Sequence, residues 1–181
     1  MTDRSTSMTT KAEQSESLYV DALDQIRTAQ KLISEHGWIK GQMGSPEIGF
    51  CAMGALQYAL DNADHPRDPM SDAIAQDQLE YALPQDHPAL DPDWNIRLAE
   101  ELRRARGGEI GVGLGDLALA LEEAAALADD GVTLAPMARY NDWPGVARED
   151  VLQVMDRAAE SIEKIIHQGK VQHLETEGGD E

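Results

Sequence analysis

Asn141 and Asp142 stand between two aromatic residues, Tyr140 and Trp143, just before a turn at Pro144-Gly145. A carboxylate beside a carboxamide could contact a ligand, or take a proton as a general base. The same pair could instead brace the chain, because Asn and Asp side chains accept hydrogen bonds from backbone amides two or three residues on. No His, Cys or second carboxylate stands at a telling spacing nearby. Bracing is therefore the favoured reading, with Tyr140 and Trp143 packed inward on either side of a polar pair that satisfies loop amides.

Cys51 is the one thiol. At a helix start it would feel the positive end of the helix dipole, which lowers a thiol pKa and raises its reactivity. A nucleophile also needs a base. Of His36, His65, His87, His167 and His173, only His36 precedes the loop that leads to Cys51. The surrounding "FCAMGAL" is apolar, however, and there a lone Cys fits better as small core filling. The glycine-rich "GEIGVGLGD" lacks both the preceding strand of a dinucleotide fold and the Gly-Lys-Ser/Thr of a phosphate loop, so it reads as a connector. The cluster of Arg97, Arg103, Arg104 and Arg106 suits a helix C-terminus, with Glu100 in ion-pair register; an anion or partner patch is the alternative. The scattered histidines form no ligand spacing, so no metal and no cofactor is expected.

Charge narrows the classes further. Thirty-four acidic residues face fifteen basic ones, a net of -19, and such a chain has little with which to displace counterions from phosphates. Direct nucleic-acid binding and docking on an anionic membrane are both disfavoured. The acidity suits a solvated surface, a basic partner or mimicry of a polyanion. With one cysteine, no intrachain disulfide can form. No stretch reaches the roughly 20 apolar residues of a membrane helix, and the polar N-terminus is no secretory signal, so a cytoplasmic location is expected.

These residues must be positioned by helices. Tyr19, Ala22, Leu23, Ile26, Ala29, Leu32 and Ile33 recur at helical spacing, and Gly37 supplies a left-handed stop. "GWIKGQMGSPEIGF" is a loop with a short extended pair around Ile39 and Ile48. "CAMGALQYAL" is a short apolar helix in which Gly54 allows a close helix crossing. Further helices are expected over Ser71 to Leu83, from Asp91 (an N-cap followed by Pro92) to Ala105, and over "LALALEEAAALADD". The last starts near Ala147, with Val151, Leu152, Met155, Ala158, Ala159, Ile162 and Ile165 on its apolar face. "VTLAPMARYNDWPG" reads as irregular. The expected fold is all-α, a compact bundle of about five to six helices with long irregular loops. Residues 1–16 read as a disordered arm, 17–170 as one helical domain with a variable middle at 61–115, and 171–181 as a disordered acidic tail.

Two segments together, "HGWIKGQMGSPEIGFCAMGALQYAL" and "YNDWPGVAREDVLQVMDRA", resemble an uncharacterised domain family of actinobacteria and their phages. Its members read helix, Gly-Trp, Cys-x-x-Gly-Ala-Leu, a variable middle, then Trp-Asn-Asp-x-Pro-Gly-Arg-Thr and a final helix. Here Tyr140 replaces the Trp, and Val146-Ala147 replaces Arg-Thr, removing the hydroxyl that would cap the last helix. The resemblance implies a fold and a source, not an activity. The leading expectation is a non-enzymatic interaction module that binds a host or self protein through an acidic helical surface. A second is a small-molecule or hydrolytic site in a cleft between the Gly-Trp and Asn-Asp loops, lined by Trp38, Cys51, Tyr140, Asn141, Asp142 and Trp143. The third is DNA mimicry.

Overall fold

Two long helices carry the same internal spacing, and that spacing builds the core. In α1 (Lys11–His36), Ala22, Ile26, Ala29 and Ile33 lie four, three and four residues apart, and all are fully buried. In the final helix (Arg148–Glu177), Val151, Met155, Ala158 and Ile162 repeat the interval, also fully buried. Residues so spaced form one stripe on a helix, and two such stripes exclude water by facing each other. The alanines let the backbones approach, while Ile26, Ile33, Met155 and Ile162 supply most of the volume.

The computed structural model describes residues 11–91, 93–94 and 136–177. Within them the chain is all-α: α1, α2 (Ala52–Asp61), α3 (Pro69–Tyr81), α4 (Pro136–Asp142) and α5 (Arg148–Glu177). Helix α1 packs against α2, α3 and α5, and α3 also packs on α5. A 3₁₀ turn, Pro88–Leu90, lies against α4. Gln25, fully buried on α1, donates to the Leu56 carbonyl at 3.2 Å and to Asp72 at 2.9 Å, tying three helices together at one side chain. Most of the helix expected from Asp91, the "EIGVGLGD" connector, the arginine cluster and the "LALALEEAAALADD" helix lie outside the described residues.

Four sequence expectations are revised. Helix α1 starts at Lys11, inside the expected arm, and α5 runs to Glu177, past Gly169 and into the expected tail. The flanking Lys, Ala, Glu and Gln residues are good helix formers, and extending a helix that tertiary packing has already nucleated costs little. The extended pair is a hairpin of Gly44–Ser45 with Gly49–Phe50, in register Gly44 to Phe50, while Ile48 sits in its turn and is 53% exposed. Gly54 does admit a close approach, but of the loop rather than a helix: a Cβ there would lie 1.6 Å from the Met43 carbonyl oxygen. Finally, Tyr140, Asn141 and Asp142 belong to the short helix α4, opened by Pro136 in the first turn, where proline loses nothing.

Helix ends follow their local chemistry. Gly37, at φ +97°, closes α1 with its N–H on the Ile33 carbonyl at 3.1 Å. Asp68 caps α3 ahead of Pro69. Ala147 cannot cap α5 with a side chain, yet Asp150 reaches back to the Ala147 N–H at 2.8 Å, which is half of a capping box. Among the described residues, no helix is long and apolar enough to cross a membrane.

Candidate functional site

The Asn-Asp pair is bonded mainly to a loop about a hundred residues earlier, not to its own turn. Asn141 is 1% exposed. Its Oδ1 accepts the Trp38 indole N–H at 2.7 Å and the Ala52 backbone N–H at 3.1 Å. Its Nδ2 donates to the Ile39 carbonyl at 3.3 Å and to Asp142 Oδ1 at 2.6 Å. A carboxamide offers two donors and two acceptor positions, so Asn141 is fully used. Asp142 Oδ1 also accepts the Gly41 N–H at 2.9 Å. Lys40 adds a strap, donating to the Trp143 carbonyl at 2.6 Å while its ammonium lies 5.0 Å from the Trp38 ring centre. Burial lowers the Lys40 pKa, against the opposing pull of Asp142 and Asp150.

Cys51 sits beside this network as the N-cap of α2. Its Sγ accepts the Gly54 N–H at 3.2 Å, and the residue is 7% exposed. Burial pushes the thiol above its usual pKa. The Gly54 hydrogen bond opposes that shift without cancelling it, and the Asp142 charge adds to it. The dipole effect expected at a helix start is thus outweighed by desolvation. His36 is engaged elsewhere: Nδ1 lies 3.0 Å from the Pro46 carbonyl, and the ring makes a T-shaped contact with Phe50.

Tyr140 and Trp143 pack inward, 4% and 5% exposed. What joins them was invisible in the sequence. His87 lies with its ring centre 4.8 Å from Tyr140 and 5.8 Å from Trp143, in a T-shaped arrangement with each. Its Nδ1 accepts the Ala89 N–H at 3.2 Å and so caps the 3₁₀ turn. Burial lowers the His87 pKa, while Asp86 and Asp150 oppose that shift. Burial and the Asp150 charge raise the Tyr140 pKa, with Arg157 opposing. Trp143 to Val146 form a turn closed by the Val146 N–H on the Trp143 carbonyl at 3.2 Å, with Gly145 at φ +88° after Pro144. That is a type II turn.

The six candidates therefore divide. Trp38, Asn141 and Asp142 form one hydrogen-bonded knot, with Cys51 buried at its edge. Tyr140 and Trp143 turn toward an open cavity of about 420 Å³, walled by His87, Pro88, Tyr140, Trp143, Pro144 and Asp150. The loops expected to flank a cleft are bonded to each other, and the described open space lies beside them. The sequence held one clue, an acidic residue at the third position of the last helix; His87 offered none, being some fifty residues from its ring partners. Among the described residues, no group of three His, Cys, Asp or Glu is placed to hold a metal.

No curated protein and no solved structure matches this chain. One family does, over residues 19–161, which takes in α1 from Tyr19 onward, the knot, the cavity and the first half of α5. The chain belongs to that family, described only as a family of unknown function (DUF6197).

Proposed function

We propose that this protein is a non-enzymatic interaction module whose acidic surface engages a basic partner protein. The observation that carries this reading is the saturation of Asn141. All four of its hydrogen-bonding positions hold other parts of the fold, and a group so committed has nothing left for a substrate. Cys51 and His36 point the same way: the thiol serves as a buried cap with a raised pKa, and the imidazole is held by Pro46 and Phe50. A catalytic constellation needs a nucleophile within reach of its base, and these groups are engaged elsewhere. The net charge of -19 supplies long-range attraction for a cationic surface and a salt-dependent encounter rate.

The test is affinity capture from an actinobacterial lysate at low and at moderate salt, using wild type beside a folded Asp142→Ala variant. The expected result is one basic protein retained by both and released as salt rises. Failure to retain a specific protein at either salt refutes the reading. A small molecule carried by wild type and lost from the folded variant would replace it with a ligand or enzyme site at the knot.

A further inference from the structure

The cavity beside Tyr140 and Trp143 has a one-sided chemistry. Among its lining residues, Asp150 is the only carboxylate or ammonium group. The Ala147 N–H fixes the Asp150 carboxylate by binding Oδ2 at 2.8 Å. His87 brings no competing positive charge at neutral pH, because burial disfavours its protonated form. Its Nδ1 already accepts the Ala89 N–H, so the proton of the neutral ring sits on Nε2. The Lys40 ammonium, which feels the Asp150 charge, is tied to the Trp143 carbonyl. The remaining walls are the rings of His87, Tyr140 and Trp143, two prolines, and the Gly145–Val146 end of the turn. Aromatic and proline faces beside a fixed carboxylate, in a strongly acidic protein, favour a planar organic cation and repel an anion.

We infer that this cavity seats an arginine side chain of the basic partner, with the guanidinium against Asp150 and its planar face along the aromatic and proline walls. The inference rests on the interaction-module reading above. Arginine fits better than lysine because its planar fork pairs side-on with a carboxylate and stacks on rings, whereas an ammonium is a compact, strongly hydrated point charge.

The experiment titrates the whole protein with acetyl-Gly-Arg-Gly-amide, with the citrulline peptide of the same shape, and with free agmatine. Binding is followed by calorimetry and by NMR shifts of the His87, Trp143 and Gly145 amides. Asp150→Asn keeps an oxygen acceptor for the Ala147 N–H while removing the charge, so the variant folds. The arginine peptide should move those amides, the citrulline peptide should bind about tenfold more weakly, and Asp150→Asn should cost the arginine peptide about tenfold. Equal binding of the two peptides, equal binding to Asp150→Asn, or no shift at these amides overturns the inference. Tighter binding of agmatine than of the peptide also overturns it, by making the cavity a small-amine site. A lysate partner that holds Asp150→Asn as tightly as wild type sinks the cavity assignment and leaves the interaction reading standing. An empty lysate capture sinks the interaction reading itself.

Discussion

Replacing Asn141 by Ala removes the one acceptor shared by the Trp38 indole and the Ala52 amide, and the structure sets the size of the effect. The Ala52 N–H is buried, and the Trp38 N–H is partly so. A polar group stranded away from water costs about 1–3 kcal/mol. Two stranded donors therefore cost about 4 kcal/mol. On the donor side the loss is smaller, since Asp142 Oδ1 keeps the Gly41 N–H. A loss near 4 kcal/mol is a large part of the total stability of about 5–15 kcal/mol for a domain, and corresponds to a melting-temperature drop of roughly 10 °C at this chain length. Urea unfolding followed by circular dichroism measures the loss, and hydrogen exchange of the Trp38 indole locates it. Were Asn141 only a local turn brace, Trp38 would be as protected in the variant as in wild type. That result, or a loss below about 1 kcal/mol, refutes the long-range bracing argument. Asn141→Asp sharpens the test. It places a second carboxylate against Asp142, so its defect should be larger at neutral pH than in mild acid, where the pair can hold a proton between them.

Gly54→Ala drives a Cβ into the Met43 carbonyl and should cost at least about 3 kcal/mol or prevent folding, whereas Gly169→Ala meets nothing within 4 Å and should gain about 0.5–1 kcal/mol of helix stability; urea midpoints of both decide. Because His87 has a folded pKa lowered by burial, its stabilising contribution is complete above the ordinary histidine value of about 6.5 and declines as pH falls below it. Melting temperatures of wild type and His87→Gln across that window should therefore converge toward acid. Cys51, buried with a raised pKa, should react with a thiol reagent far more slowly in native protein than in urea, and native reactivity matching the unfolded rate would contradict the cap geometry.

The two long helices were legible because each carries its apolar stripe within its own sequence, and a period needs no partner to be read. Gly37 was legible for the same reason: its stop is encoded next to the residue it ends. The knot was not. Asn141 sits 89 residues from Ala52 and 103 from Trp38, and local chemistry offered the pair a turn of its own. Its helix, α4, spans 7 residues, two turns, too few to show a period. Gly54 announced that something comes close without saying what, since a missing Cβ accommodates a carbonyl as readily as a helix. The burial that governs the Cys51 and His87 pKa values arises only when distant segments pack.

One ring contact bears on how this chain can change length. The described chain departs at Trp94 and resumes at Pro136, and the Arg139 guanidinium lies 5.6 Å from the Trp94 ring centre. Exit and return thus share one doorway. The entropy of closing a loop rises only with the logarithm of its length, about 0.6 kcal/mol for each doubling. With the two ends held together at one ring contact, the entropy of closing a connection between them depends only weakly on how long that connection is.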